Sequence, residues 1–241
     1  MKITILSYNI EGLTLEYNYC QDQSLKQYII DKSVYLNKYL ATLNVDIICI
    51  QEYTPILNID LENYYCVKTK PNAIFFRKGK FTYVNHKEDD AYGLIVKLNT
   101  DGFIVKIGTN RLPPGFGNEQ LRSTIMATVD AIAKNKILVY AADTNMKKAE
   151  EKVMTNLVDC YHLATVTDGH YTLDKKTNPY FANDDASEVR TRYDKIFCTK
   201  IFDCEQTIVL KPVNNDKLVH TSYPFGGISD HYPVMAVLSI G

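Results

Sequence analysis

The order of hydrophobic and polar residues predicts a chain that switches repeatedly between strands and helices. Lys2–Asn9 alternates with a period of two, as a strand does, and Val45–Gln51 is a β-branched run typical of a strand buried on both faces. Further strands are predicted at Ala73–Arg77, Phe81–Asn85, Tyr92–Leu98, Phe103–Gly108, Lys136–Ala142, Tyr171–Leu173, Tyr193–Thr199, Gln206–Lys211 and Pro233–Ile240.

Turn residues predict how some of these strands connect. The turn at 78–80 predicts a hairpin of Ala73–Arg77 with Phe81–Asn85, and the turn at 99–102 predicts a second hairpin of the two strands that flank it. The polar segment Thr177–Arg190 is predicted to be a surface loop.

Two segments have the apolar spacing of amphipathic helices. Ser24 is the predicted cap of the first helix, and Asn118 opens the second. Their apolar stripes are Leu25, Ile29, Leu36, Leu40 and Leu43 in the first helix, and Leu121, Ile125, Val129 and Ile132 in the second. Many strands with a few interspersed helices favour an α+β layered sandwich, which we expect to be a single domain over residues 1–241.

The composition is that of an ordinary globular protein. Of the 241 residues 46% are hydrophobic and 23% are charged, which excludes the disordered, collagen-like and coiled-coil classes. The net charge of -1 excludes a basic surface spread over the whole molecule. A local basic stretch is present at Val67–Lys87, which contains no acid, and we interpret it as a solvated hairpin rim rather than as a nucleic-acid contact.

The cysteines and the apolar runs indicate an intracellular protein. None of the 6 cysteines belongs to a C-x-x-C pair, so the sequence shows no zinc knuckle or thioredoxin-like motif, and free thiols suit a reducing compartment. No apolar run approaches the roughly 18 residues of a membrane span, and the N-terminus lacks the features of a signal peptide. We therefore expect a protein of the nucleus or cytoplasm without a membrane partner.

Polar residues occupy the ends of several predicted strands, where a rigid sheet can present chemical groups. In chain order they are Asn9, Glu11, Glu52, Asp143, Asn145, Asp194, Asp230 and His231. Each of them alone has a structural explanation, as a turn former, a helix cap or a solvated strand end. If the sheets bring these strand ends together, carboxylates, amides and an imidazole share one site.

Such a set of groups suits the metal-assisted hydrolysis of a phosphodiester. Mg²⁺ prefers carboxylate and amide oxygens, and Glu52 with Glu11 behind it is the candidate cation site. Asp143, oriented by Asn145, can orient and deprotonate the attacking water.

The remaining groups can stabilise the transition state of the same reaction. His231 can donate to the phosphoryl oxygens together with the two amides, and Asp194 can hold the imidazole in its protonated form. The sequence contains no P-loop, no G-x-S-x-G turn and no dinucleotide-binding fingerprint.

These motifs resemble the endonuclease/exonuclease/phosphatase superfamily of metal-dependent phosphodiesterases. Within it the chain most resembles the 5′-tyrosyl-DNA phosphodiesterases, with the abasic-site endonucleases next. The resemblance covers nearly the whole chain and rests on the segments Ser7–Leu13, Ile50–Glu52, Asp143–Met146, Arg192–Phe197 and Ser229–His231. It implies a four-layer αββα sandwich, in which two packed mixed β-sheets are flanked by helices, with the site at one end.

The resemblance also implies a role for each residue. The implied cofactor is Mg²⁺, or else Mn²⁺. The implied roles are cation binding for Glu52 with support from Glu11, phosphate or water binding for Asn9 and Asn145, water activation for Asp143, transition-state stabilisation for His231 paired with Asp194, assistance near the metal for Asp230, and phosphate binding for Arg111 and Lys147.

Three positions depart from the family pattern. Ala142 stands where the family usually has glycine, which is a small change. Arg111 stands where the family has a phosphate-contacting histidine, and arginine can bind phosphate through two parallel hydrogen bonds. Tyr171–Leu173 stands where the tyrosyl enzymes have a Tyr-Thr-Trp stretch, and this chain has no tryptophan.

Three functions remain open from the sequence. The first is hydrolysis of a tyrosine–5′-phosphate bond on DNA or RNA by a monomeric enzyme of repair type, whose partner is nucleic acid with a 5′-linked tyrosine or peptide. The second is an abasic-site endonuclease or another nuclease of the superfamily, against which the net charge of -1 argues mildly. The third is a catalytically inactive binding module, supported only by Arg111 and by the missing tryptophan.

Overall fold

A computed structural model describes residues 1–147, 150, 154–181, 189–211 and 228–241 of the chain. Its strands are β1 (Lys2–Asn9), β2 (Ile47–Gln51), β3 (Tyr64–Thr69), β4 (Asn72–Arg77), β5 (Thr82–Asp89), β6 (Gly93–Thr100), β7 (Phe103–Thr109), β8 (Ile137–Asp143), β9 (Leu157–Asp159), β10 (Val166–Asp168), β11 (Leu173–Asp174), β12 (Arg190–Thr191), β13 (Asp194–Thr199), β14 (Asp203–Val209) and β15 (Val234–Ser239). Its α-helices are α1 (Gly12–Gln21), α2 (Lys26–Thr42), α3 (Glu119–Ala133) and α4 (Cys160–Leu163), and short 3₁₀ segments lie at Gln23–Leu25 and Pro179–Phe181.

The strands form two large mixed sheets and one small pair. The first sheet has 7 strands in the order β10-β14-β15-β1-β2-β4-β3, and the second has 6 strands in the order β5-β6-β7-β8-β13-β9. β11 and β12 form the separate pair. β1 runs parallel to β2 and β7 runs parallel to β8, whereas β15, β4 and β13 run antiparallel to their neighbours.

Alternate residues of the central strands face two different interiors. Ile3 and Ile5 of β1 meet Val139 of β8 in the cluster between the two sheets. Leu6 faces the other way, into a cluster that includes the buried apolar side chains of α1 and α2, while α3 packs on the outer face of β8. Because successive side chains of a strand point to opposite faces, this alternation produces the layers helix, sheet, sheet and helix. The predicted four-layer αββα sandwich is confirmed.

Strand register brings the polar strand ends to the same end of the sandwich. Asn9 of β1 lies beside Gln51 of β2, and Asp143 of β8 lies opposite Asp194 of β13. The side chain of Gln51 joins the two sheets at this end, because its Nε2 donates to Thr109 Oγ1 at 2.8 Å in the second sheet. The paired ends of these strands, joined by Gln51, therefore hold the predicted polar residues at one end of the sandwich.

One of the two predicted hairpins is confirmed and the other is wrong. β6 and β7 form an antiparallel hairpin through Asp101 (φ 49°) and Gly102 (φ 80°). The turn after β4 does close, with Phe81 N donating to Arg77 O at 3.3 Å, but β4 and β5 belong to different sheets. Phe76 and Phe81, on either side of that turn, both enter the interior between the sheets, so the turn carries the chain from one sheet to the other.

Both predicted helices are present, although their details differ from the prediction. Ser24 does not cap α2: the side chain of Asp22 accepts a hydrogen bond from Ser24 N, and the 3₁₀ turn that it starts leads into the helix. Leu121 of α3 is 49% exposed, so it lies outside the buried stripe. The apolar pattern does not predict α1, whose buried residues are Gly12 and Leu15.

The lysines around the turn at 78–80 contact the protein itself. Lys78 Nζ donates to Glu62 O at 2.7 Å, and Lys80 Nζ lies 2.7 Å from Asp46 Oδ2. These contacts anchor the crossing between the two sheets and give the lysines a structural role. None of the helices in the described part of the chain is long and apolar enough to cross a membrane.

Candidate active site

The polar residues singled out from the sequence meet at one end of the sandwich. Asn9 ends β1, Glu52 follows β2, Asp143 ends β8, Asp194 begins β13 and His231 lies shortly before β15. All five are buried, with side chains that reach one another across the two sheets. Segments far apart in the chain therefore assemble one buried polar centre.

Asn9 links two acidic side chains of this centre. Its Nδ2 donates to Glu52 Oε1 at 3.2 Å and to Asp143 Oδ2 at 3.0 Å. Its Oδ1 accepts a hydrogen bond from the backbone N–H of Glu11 at 2.9 Å. The amide thus spans the gap between a first-sheet acid and a second-sheet acid, and all of its polar atoms are engaged in holding the site together.

Three site residues adopt left-handed backbone conformations one or two residues after their strands end. The φ angles are 55° at Glu11, 55° at Glu52 and 48° at Asn145. For the two glutamates this conformation costs free energy, of the order of 1–2 kcal/mol each, whereas asparagine adopts it more readily, and such strain is concentrated at functional sites. The turns redirect the side chains from the sheet toward the common centre.

Gly12 is required by the close packing of two of these turns. A Cβ at this position would lie 2.2 Å from Glu52 O and 2.9 Å from Thr54 Cγ2. The backbone of α1 therefore approaches the turn that carries Glu52 more closely than any other residue type allows. This contact sets the position of the glutamate.

Glu11 is held by two partners that the sequence does not single out. Its Oε2 lies 3.1 Å from Lys32 Nζ of α2, and its Oε1 accepts a hydrogen bond from Tyr180 Oη at 2.6 Å. Lys32 is fully buried. Tyr180 is also buried and lies within Thr177–Arg190, so the expectation of a surface loop is wrong for this part of the segment. Residues 182–188 of that segment lie outside the described residues.

His231 and Asp194 form a short, buried pair. His231 Nδ1 lies 2.6 Å from Asp194 Oδ2, and Asp194 is completely buried. Burial by itself would lower the pKa of His231, but the negative charges of Asp194, Asp230 and Asp143 outweigh it and raise the pKa well above its ordinary value. The imidazole is therefore a cation at neutral pH, with Nε2 as a further donor.

Asp143 is a buried carboxylate whose orientation is fixed. Its Oδ1 accepts a hydrogen bond from the backbone N–H of Asn145 at 3.1 Å, and its Oδ2 accepts one from Asn145 Nδ2 at 3.2 Å. Burial raises the pKa of Asp143 to about 6, against the lowering effect of the nearby charge of His231. The carboxylate is a stronger base than an ordinary aspartate and is still ionised at neutral pH.

The two predicted phosphate-binding cations occupy different surroundings. Arg111 Nε lies 2.6 Å from Glu52 Oε1 and 3.9 Å from Asp143 Oδ2, so its guanidinium group sits against the acidic centre. Lys147 is exposed, and its Nζ lies 4.0 Å from the ring centroid of Phe116. Their predicted contact with phosphate stays a prediction.

The donor set of the centre fits a hard divalent cation. Glu52 Oε2 is a buried carboxylate oxygen without a hydrogen-bond partner in the part of the chain that the structure describes, and the same holds for Asp194 Oδ1. An unpaired buried carboxylate oxygen is costly, and a bound cation would relieve that cost.

One group of potential metal ligands lies close together in the described part of the chain, and its histidine would have to lose a proton before it could bind a metal. Asp143, Asp194 and His231 each offer one ligand atom, and these atoms lie within 4.8 Å of one another. This group does not contain Glu52 or Glu11, the two predicted metal ligands, so the assignment of those two glutamates stays a prediction. The identity of the metal stays a prediction as well.

Several structural partners of the site are missed by reasoning from strand ends. Lys32 carries a signal in the sequence, because it falls on the apolar stripe of α2 between Ile29 and Leu36, where a solvated lysine is not expected. Thr172 carries none: its Oγ1 accepts hydrogen bonds from the backbone N–H groups of Tyr193 and Asp194, each at 3.0 Å.

The fold is that of the endonuclease/exonuclease/phosphatase proteins. A protein of that family from Bacteroides thetaiotaomicron is 18% identical to this chain and superposes with a TM-score of 0.74 over 100% of this chain and 98% of its own. A mannosyl-6-phosphatase from the same organism is 19% identical, with a TM-score of 0.71 over 99% of this chain and 100% of its own.

TDP2 from Danio rerio, in complex with a single-strand DNA product, has the same architecture. It is 19% identical, with a TM-score of 0.78 over 99% of each chain. At these identities the likeness shows the fold, and the resemblance inferred from the sequence motifs is confirmed at that level. No protein-family model matches the sequence, and no curated protein matches it.

Proposed function

We propose that this protein is a phosphodiesterase that depends on a divalent cation and hydrolyses the bond between a tyrosine and the 5′-phosphate of DNA or RNA. The observation that carries the proposal is the shared centre of Asn9, Glu52, Asp143 and the His231–Asp194 pair, built from both sheets. Buried carboxylates that share one centre are costly to fold, and their presence is explained by the chemistry that they perform.

Asp143 acts on the attacking water. Its carboxylate is oriented by Asn145 and Asn9, and with a pKa of about 6 it can accept a proton from a water molecule at neutral pH. The proton passes from the water to a carboxylate oxygen of Asp143 as the water oxygen attacks phosphorus. The new P–O bond forms opposite the bond to the leaving oxygen.

His231 acts on the charge that develops at the phosphoryl group. Its Nε2 donates to a non-bridging phosphate oxygen, while Asp194 holds Nδ1 and keeps the ring protonated. The guanidinium of Arg111 reaches the same centre and can bind a second non-bridging oxygen.

A divalent cation would be held by Glu52, with Glu11 behind it fixed by Lys32 and Tyr180. When bound, such a cation withdraws charge from the phosphate oxygens and stabilises the leaving oxygen. Mg²⁺ is the proposed cation, because carboxylate and amide oxygens are the ligands that it prefers.

The proposal of a tyrosyl leaving group rests on the sequence motifs and on the chemistry of a phenol. The pKa of a phenol is about 10, far below that of an alkyl alcohol, so a phenolate departs without a strong general acid. The same fold occurs in TDP2 bound to a single-strand DNA product and in a sugar phosphatase, so the fold alone does not choose between these substrates.

A comparison of substrates tests the proposal directly. We expect the purified protein with Mg²⁺ to release tyrosine from a 5′-tyrosyl single-stranded oligonucleotide, and chelation of the metal to abolish the release. Asp143→Asn and Glu52→Gln should each lower kcat by about 10²- to 10⁴-fold. Lys78→Gln is the control that should keep full activity, because Lys78 follows the end of β4 that lies away from the site, whereas Asn72 at the other end of β4 pairs with Gln51.

The same experiment distinguishes the alternatives. Faster cleavage of an abasic duplex than of the tyrosyl oligonucleotide would replace the proposal with an abasic-site endonuclease. Binding of the oligonucleotides without cleavage of either would indicate a binding module. Turnover that survives chelation would contradict the cation-dependent mechanism.

A further inference from the structure

An exposed phenylalanine lies beside the proposed active site. Phe116 is 86% exposed, and it occupies the loop that connects Arg111 to α3. Exposure alone means little, because single apolar side chains are common on protein surfaces. Phe116 is distinguished by how firmly its loop is held and by the cation against its ring.

A buried arginine holds the backbone of the loop that carries Phe116. Arg122 of α3 donates from Nη1 to Pro113 O and to Gly115 O, each at 2.9 Å, and Arg122 is 1% exposed. Asn118 Nδ2 also donates to Pro114 O at 2.7 Å. The backbone on both sides of Phe116 is therefore anchored, and the ring is presented at a defined place.

Two glycines with left-handed backbone conformations flank Phe116 in the loop. Gly115 has a φ of 85° and Gly117 has a φ of 87°, which is a conformation that other residues adopt only with strain. A Cβ at either position would meet no atom within 4 Å, so the glycines serve the backbone conformation rather than close packing.

One ion pair couples this loop to the segment that follows Asp143. Arg122 Nε lies 2.9 Å from Glu150 Oε2, and Glu150 Oε1 accepts a hydrogen bond from the backbone N–H of Lys147 at 3.0 Å. Lys147 Nζ then lies 4.0 Å from the centroid of the Phe116 ring. The ring and the ammonium group are thus held as a unit, which we call the Phe116–Lys147 platform.

The platform adjoins the catalytic centre. Lys147 lies two residues after Asn145, whose Nδ2 donates to Leu112 O at 2.9 Å and to Asp143 Oδ2 at 3.2 Å. Leu112 N in turn donates to Asp143 O at 2.9 Å. Both halves of the platform are therefore tied to the residue that is proposed to activate water.

We propose that the Phe116–Lys147 platform binds the nucleotide that carries the scissile phosphate, by stacking its base on Phe116. This inference rests on the proposed function and specifies its substrate: a strand whose terminal base is unpaired. Lys147 Nζ lies over one face of the Phe116 ring, which leaves the rest of this exposed ring for a base, and the ammonium charge attracts the phosphate of the same nucleotide.

Charge favours the same place for the strand. The neighbouring pocket of about 570 Å³ is lined by Arg111 and Lys70 as well as by Glu88, Asp89 and Asp90, so its positive and negative groups largely offset each other. A polyanionic strand is attracted toward the exposed ammonium group of Lys147. A base inside a duplex cannot stack on a side chain, so the platform selects single-stranded or frayed 5′ ends.

A binding experiment tests this inference without relying on turnover. The probe is a single-stranded oligonucleotide with a 5′-phosphate and 2-aminopurine as its terminal base, and the matched probe has an abasic terminal residue. We expect the wild-type protein to quench the fluorescence of 2-aminopurine and to bind the base-bearing probe more tightly. Phe116→Ala should weaken binding of that probe by roughly 5- to 100-fold and leave binding of the abasic probe unchanged.

Two variants serve as controls for Phe116→Ala. Phe116→Trp keeps an aromatic face and should retain the preference for the base. Tyr65→Ala removes another exposed ring, 55% exposed and with Lys78 Nζ 5.3 Å from its centroid, on β3 away from the site. It should change the binding of neither probe.

The outcomes separate this inference from the proposed function. If Phe116→Ala keeps the full preference for the base, or if the wild-type protein binds neither probe, the stacking platform is refuted. If the preference depends on Phe116 but no tyrosyl oligonucleotide is cleaved, the platform stands and the proposed reaction is wrong.

Discussion

Arg111 Nε lies 2.6 Å from Glu52 Oε1, the carboxylate proposed to hold the divalent cation. The Arg111 side chain is 30% exposed, whereas that of Glu52 is 6% exposed, so the contact lies at the mouth of the buried centre. The Nε–H of Arg111 makes no aligned hydrogen bond to any described residue, so the contact is one of charge rather than of hydrogen-bond geometry. A guanidinium group in this position neutralises the same carboxylate that a cation would use.

Removal of Arg111 should therefore strengthen cation binding. In Arg111→Met the glutamate loses its positive neighbour, and we expect the Kd for Mg²⁺ to fall roughly 10-fold, which corresponds to about 1.4 kcal/mol. Isothermal titration of the protein without substrate measures this change independently of activity.

A variant far from the site tests whether the loss of any positive charge changes the Kd for Mg²⁺. Lys80→Met breaks a 2.7 Å pair with Asp46 at the crossing between the sheets and should leave the Kd unchanged. Weaker Mg²⁺ binding by Arg111→Met would mean that the arginine supports the cation site instead of competing for it.

The Asp194–His231 pair should determine the alkaline limit of activity. The pKa of His231 is raised well above its ordinary value, so the protonated donor persists at neutral pH and kcat falls only as the pH rises through that raised pKa. Asp194→Asn removes the largest of the negative charges that raise the pKa of the imidazole, so this pKa falls toward its ordinary value. We expect the alkaline fall in kcat to begin at lower pH, with a loss of about 10²-fold at mildly alkaline pH.

A pH profile of kcat measures this shift, with Asp230→Asn for comparison. Asp230 Oδ2 lies 3.8 Å from His231 Nε2 and makes a smaller contribution to its pKa than Asp194. Asp230→Asn should therefore shift the alkaline fall in kcat to lower pH by less than Asp194→Asn does. If Asp194→Asn lowers kcat by the same factor at every pH and leaves the pH of the alkaline fall unchanged, the aspartate only positions the ring.

Gly12→Ala should damage the site through the backbone. The new Cβ would lie 2.2 Å from Glu52 O, which is a contact with main chain that cannot rotate away. We expect a loss of stability of about 1–3 kcal/mol together with a reduced kcat, because the turn that positions Glu52 must move. Thermal unfolding and kcat with the tyrosyl oligonucleotide measure the two effects, and a variant with wild-type values for both would contradict this role of the glycine.

Asp130 should contribute stability that depends on pH. Its Oδ1 accepts hydrogen bonds from the backbone N–H groups of Thr155, Asn156 and Leu157, at 3.1, 2.8 and 2.9 Å, and it is 5% exposed. Burial raises the pKa of Asp130, but these hydrogen bonds outweigh it and lower the pKa below its ordinary value. The folded state thus binds its proton less readily than the unfolded state, and the stabilisation is complete above about pH 4 and is lost as the pH falls further.

Asp130→Ala tests this dependence. At neutral pH it should lower the free energy of unfolding by about 2–4 kcal/mol, because three backbone donors lose their acceptor. The difference from the wild-type protein should shrink in acid, as urea titrations at a series of pH values would show. Asp31→Ala, at an exposed position of α2, is the control and should change stability by less than about 0.5 kcal/mol. An equal loss at every pH would contradict the role of the charge.

The sequence predicts most of the fold because its signals are local. The alternation of Lys2–Asn9 and the apolar run at Val45–Gln51 identify β1 and β2, and the Asp101-Gly102 turn identifies the β6–β7 hairpin. The turn at 78–80 gives the same kind of signal and leads to a wrong pairing. A turn determines that the chain reverses, but the partner of the next strand depends on which sheet offers it an edge.

Part of the candidate site can be predicted from local sequence signals, and part cannot. The choice of Asn9, Glu52, Asp143 and His231 as candidates follows from their places at or beside the ends of strands, where a sheet can present polar groups. The contact of Arg111 with Glu52, the support of Glu11 by Tyr180, and the Phe116–Lys147 platform do not follow from any local pattern.

The sequence alone determined the layered architecture, because the spacing of apolar residues identifies strands and helices. It also determined the chemical groups of the candidate site, because these depend only on residue type. Only the tertiary structure decided which groups touch. Those contacts join residues as far apart as Glu11 and Tyr180, and their geometry depends on how two sheets and a loop pack together. Packing at that range depends on the whole set of side chains at once, which no short segment of sequence contains.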